Sequence, residues 1–81
     1  MDRAQTQSED EPYRVVFGKR LRALREAAGL SQSAAARAMG LDRSYYARLE
    51  AGRHSIAVDR LPGVARVLGV EVGDLFAGSG S

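Results

Sequence analysis

From Tyr13 onward, apolar and polar positions recur with a helical period. Phe17, Leu21, Leu24 and Ala28 fall three or four apart and form one stripe, with Arg14, Lys19, Arg20, Arg22 and Glu26 on the remaining surface. Gly29 closes this first helix. Gly18 inside it costs about 1 kcal/mol relative to Ala, a cost that fits a close helix crossing. Ser31 stands where an N-cap belongs, before an Ala-rich run that reaches Met39 and stops at Gly40. Leu41 follows, and the Asp42 carboxylate caps a third helix that runs to about Ala51 and ends at Gly52. Val58, Leu61, Val64, Ala65 and Leu68 make the stripe of a fourth helix, closed by Gly69. Pro62 falls near its first turn, where the missing N–H costs little. Glu71–Phe76 reads as a short fifth helix with its acids early, where the helix dipole favours them.

The expected fold is therefore all-α: a compact five-helix domain over residues 13–77. Residues 1–12 lack apolar periodicity and end in Pro12, which predicts a disordered acidic tail; residues 78–81 read as a flexible C-terminus.

The second and third helices are short and joined by a turn of about three residues, the helix-turn-helix connection. Ala35 and Met39 share one face, Leu41 fills the turn, and Tyr46 and Leu49 share the inward face of the third helix. Ala36 lies where that helix crosses, a position that requires a small side chain. With Tyr46 and Leu49 inward, Arg43, Ser44, Ala47 and Arg48 face outward. Arginine can grip guanine bidentately, serine can bond several base edges, and an alanine methyl can touch a thymine methyl, so these four are the candidate base-reading residues.

On these residues the chain resembles the helix-turn-helix of the phage repressor and Cro type, the Xre family. GLSQ at Gly29 to Gln32, the Ala36/Gly40 pair and RLEAG at Arg48 to Gly52 carry the likeness, which extends over residues 13–77. Within the family, DRSYYARLEAGRHSI is most similar to the controller proteins of restriction–modification systems, which often have Arg-Thr-Tyr where this chain has Arg43-Ser44-Tyr45. The resemblance implies a repressor-type DNA-binding domain with further roles. Gln32, assisted by Ser33 and the N–H groups of the helix start, would bond a DNA phosphate. Tyr45 and the loop residues Arg53 and Ser55 would also hold phosphates. Arg25 would pair with Glu50 and tie the first helix to the third. Val72, Leu75 and Phe76 either complete the core or form part of a dimer interface; the family favours the interface.

Charge distribution agrees with this reading better than the net +2 does. Residues 1–12 carry net −3, and 57–81 carry net −1. Residues 13–56 carry nine basic side chains against Glu26, Asp42 and Glu50. Eleven of the twelve basic residues are Arg, the side chain suited to bidentate phosphate and base contacts, although a GC-rich genome also produces that bias. The chain has no cysteine, which excludes disulfides and thiolate chemistry. His54 is the single histidine and has no nucleophile or metal-ligand partners near it in sequence. No apolar run approaches a membrane span, and a cytoplasmic location is expected.

The expected function is a sequence-specific transcriptional regulator that binds double-stranded DNA as a homodimer on a pseudo-palindromic operator, with either one or two dimers on a site. It is not an enzyme, and no cofactor, metal or small-molecule ligand is expected. The alternative is an antitoxin that binds DNA for autoregulation, with the acidic tail contacting its toxin.

Overall fold

The computed structural model describes the backbone of residues 3–76 and the side chains of residues 13–76. Local signals set most of the architecture. Ser31 Oγ accepts from the Ala34 N–H at 3.0 Å and starts α2, Gln32–Met39. Gly40 ends it at φ 72°, a conformation in which a Cβ is strained. The reversal lets the Leu41 N–H reach back to the Ala36 carbonyl at 2.8 Å. Asp42 Oδ2 then accepts from Ser44 and Tyr45 N–H at 2.9 and 3.2 Å and starts α3, Arg43–Glu50. The expected helix-turn-helix is thus present, with each cap where the sequence places it.

The remaining elements are α1, Arg3–Ala27, and α4, Leu61–Leu68, with 3-10 turns at Val58–Arg60 and Val72–Leu75. Among the described residues there are four α-helices and no strand. Three boundaries differ from the sequence pattern. Helical backbone begins at Arg3, where the pattern predicts a loose tail over 1–12. Ala4, Gln5, Gln7, Glu9 and Glu11 are good helix formers, and backbone helix needs no apolar face. The stretch over Val58–Leu68 is a 3-10 turn followed by a helix. Pro62 supplies no N–H for the Val58 carbonyl, which is bonded instead by Leu61 one residue earlier. Val58 therefore leaves the apolar stripe and is 75% exposed.

The expected fifth helix is the third difference. It is the 3-10 turn Val72–Leu75, in which Asp74 Oδ2 accepts from the Glu71 N–H at 3.0 Å. Four residues that include Gly73 cannot repay the cost of nucleating an α-helix. The turn is fastened to α1 by the Arg20 guanidinium, whose Nε donates to the Asp74 carbonyl at 2.8 Å. The expected flexible segment 78–81 lies outside the described residues.

The four helices and the C-terminal 3-10 turn contribute to one core. Phe17 and Leu21 come from α1, Ala35 and Ala36 from α2, and Tyr46 and Leu49 from α3. Leu61, Val64, Ala65 and Leu68 face them from α4, and Leu75 closes the far end. Leu24, Met39 and Leu41 pack on its margin, while Ala28 is exposed beyond the end of α1. Gly18 accounts for how α1 meets α3. A Cβ there would lie 2.5 Å from the carbonyl oxygens of Leu49 and Glu50, so only glycine permits this crossing.

Candidate nucleic-acid interface

α3 is held from below, and that sets what it presents above. Tyr46 and Leu49 are fully buried, which turns Arg43, Ser44 and Arg48 to solvent, with Ala47 half-buried beside them. These are the four residues that the outward face predicts for base contact.

The C-terminal end of α3 is fixed by a polar clamp. Arg25 Nε and Nη2 meet Glu50 Oε2 and Oε1 at 2.6 and 3.1 Å, and Nη1 donates to the Leu30 carbonyl at 2.8 Å. The expected Arg25–Glu50 pair is therefore formed, with side chains only 11% and 4% exposed. Burial alone would raise the Glu50 carboxyl. The Arg25 hydrogen bonds outweigh that, helped by the Gln32 amide and by the Tyr46 hydroxyl, which lies outside ordinary hydrogen-bond geometry; the carboxyl stays below its usual range. Burial first, and the close approach of the Glu50 carboxylate after it, push the Tyr46 hydroxyl above the usual tyrosine range.

The clamp takes in a residue that the sequence assigns only to phosphate. Gln32 Nε2 donates to Glu50 Oε1 at 2.9 Å, so α2, α1 and α3 share one carboxylate. A glutamine amide has two N–H donors, and the second remains for an external acceptor. Ser33 is exposed on the same first turn of α2.

Beyond α3, the Arg53 N–H returns to the Arg48 carbonyl at 2.9 Å and the Arg53 side chain is exposed. The side chain of Ser55 is exposed as well. Tyr45 differs from expectation. Its hydroxyl donates to the Ser55 carbonyl at 3.0 Å, and its ring packs on His54 with centroids 5.7 Å apart. The one proton that a phosphate contact would use is committed within the chain.

The three apolar residues near the C-terminus separate. Leu75 is completely buried and belongs to the core, which corrects its place in the expected interface. Val72 and Phe76 are 38% and 56% exposed, and Phe76 stacks on Phe17 at 5.4 Å. Phe76 forms one wall of a groove of about 250 Å³ that also involves Tyr13, Ile56, Val58 and Leu61. Periodicity could not reveal this surface, because it gathers residues from the middle of α1, the loop after α3, the 3-10 turn before α4 and the C-terminal turn.

Among the described residues no cluster of three or more potential metal ligands occurs, and no helix is long and apolar enough to cross a membrane.

Residues 16–77 match the family described as a helix-turn-helix domain. Control protein C.MunI from Mycoplasma sp is 34% identical over 65 residues, covering 79% of this chain and 88% of that protein. The crystal structure of the restriction-modification controller protein C.AhdI from Aeromonas hydrophila superposes with a TM-score of 0.75 at 43% identity, covering 78% of this chain and 96% of the other. The hypothetical transcription factor NHTF from Neisseria superposes with a TM-score of 0.79 at 32% identity, over 88% and 82% of the two chains. The geometry of the clamped α2–α3 pair and these similarities agree: the chain belongs to the helix-turn-helix family of the repressor and Cro type, as a DNA-binding regulator related to restriction–modification controller proteins.

Proposed function

We propose that this protein is a sequence-specific transcriptional regulator of the controller type, acting in the cytoplasm as a homodimer on a pseudo-palindromic operator near its own gene. The observation that carries the reading is the exposed row Arg43, Ser44 and Arg48 on a helix whose opposite face is buried and whose end is clamped by Arg25. In this reading α3 enters the major groove, Arg43 and Arg48 contact guanine edges, and Ser44 and Ala47 complete the selectivity. Gln32, Ser33, Arg53 and Ser55 lie along the phosphates and set register without reading sequence. The exposed Val72 and Phe76 contribute to contact between two copies, which places half-sites about 34 Å apart, one helical turn of DNA.

The test is a titration of duplex DNA from the region upstream of the gene against a shuffled duplex of equal length. The expected result is tight, cooperative binding to the upstream duplex with two or four chains per site. Equal weak binding to both duplexes rejects an autoregulatory operator.

A further inference from the structure

The segment between α3 and α4 carries Arg53 and Ser55, and it is lightly built. The Arg53 N–H closes on Arg48, and the next backbone hydrogen bond belongs to the following turn, Arg60 N–H to the Ala57 carbonyl at 3.0 Å. Among the described residues, His54, Ser55 and Ile56 make no backbone–backbone hydrogen bond. One side chain crosses this gap: Tyr45, through its 3.0 Å bond to the Ser55 carbonyl and its ring contact with His54. Tyr45 is itself well held, because it lies in the first turn of α3 with its N–H on the Asp42 carboxylate. Ile56 packs on the core and anchors the far side of the loop.

We infer that Tyr45 is a positioning residue for DNA binding: it fastens the loop so that Arg53 meets the phosphate backbone, and it does not itself donate to a phosphate. The inference rests on the proposed function and deepens it. Phosphate oxygens are acceptors, and a tyrosine hydroxyl has one proton, which here is given to Ser55. A loop ordered in advance avoids the entropy cost of ordering on binding. Tyr45 thereby couples base-reading α3 to the charge that grips the backbone.

Salt dependence separates the two roles. Each phosphate neutralised by a cation contributes about 0.9 to the slope of log affinity against log salt. A neutral hydroxyl on a phosphate contributes no such term. The experiment titrates the intact chain, Tyr45→Phe, Arg53→Ala and the double variant against the upstream and shuffled duplexes over a salt series. Arg53→Ala is expected to reduce the slope by about 0.9. Tyr45→Phe is expected to weaken both duplexes about 3–10-fold, the range of one net hydrogen bond, and to reduce the slope in the same direction. In the Arg53→Ala background, Tyr45→Phe should change affinity by less than about twofold, because the two residues act through one contact. An unchanged slope in Tyr45→Phe, or full additivity in the double variant, overturns the positioning role. Failure of the unsubstituted chain to bind either duplex rejects the proposed function itself, and is seen before any variant is compared.

Discussion

The C-terminal end of α3 and the loop that follows it are supported by opposite means. At its C-terminal end, Glu50 is nearly buried and takes hydrogen bonds from Arg25 and Gln32, which lie 25 and 18 residues away. Gly18 lets α1 come close enough for that contact. Past that end, the 53–57 loop is exposed except for Ile56, and a single tyrosine hydroxyl bridges its middle. The contrast shows a division of labour. The surface proposed to read bases is fixed by long-range buried polar contacts, where a small displacement would lose bidentate geometry. The surface proposed to grip phosphates tolerates looser support, because charge attraction is less directional.

The largest expected effect breaks the rigid side. Glu50→Ala leaves Arg25 buried without its partner, and loss of one member of a buried pair costs about 3–5 kcal/mol. Chemical unfolding should show that loss, or no folded state at all. A loss below about 1 kcal/mol would mean the clamp adds little and the contrast is false.

Acid should act on the same side. The Glu50 carboxyl is held below its usual range in the folded chain, so its stabilising contribution is present above the ordinary carboxylate value and is lost as pH falls through the folded value. Melting temperature should therefore drop as pH goes from 7 to below about 4. In Glu50→Gln, less stable at neutral pH, the drop should be shallower. Equal acid sensitivity in both chains would assign the effect to other carboxylates.

The smallest effect is the control on an exposed face. Arg22 meets Glu26 at 3.1 Å one turn along α1, with both side chains more than half exposed. Arg22→Ala should cost no more than about 0.5 kcal/mol, against several for Glu50→Ala. A larger cost would show that exposure is a poor guide to which ion pairs matter in this fold.

The residues also show what a sequence can disclose. Ser31, Gly40 and Asp42 act within a few positions of themselves, so the helix-turn-helix and its outward face were legible directly. Arg25 and Glu50 were legible through family resemblance, since nothing local joins them. Leu75 was not: periodicity marks a residue as apolar without saying whether its own chain or another covers it. The fifth helix failed for a related reason, because acids and apolar residues in six positions suit a 3-10 turn as well as a helix. Tyr45 bonding Ser55 and Gln32 bonding Glu50 are tertiary facts with no sequence pattern of their own.

The most direct test of the account is the preference of the chain for its upstream duplex over a shuffled one, measured beside the Arg43→Ala/Arg48→Ala double variant at physiological salt. Loss of each arginine contact should cost about 1–3 kcal/mol on the specific duplex. The account predicts that the double variant keeps weak binding to both duplexes and loses its preference. Preference that survives both substitutions would contradict base reading by α3.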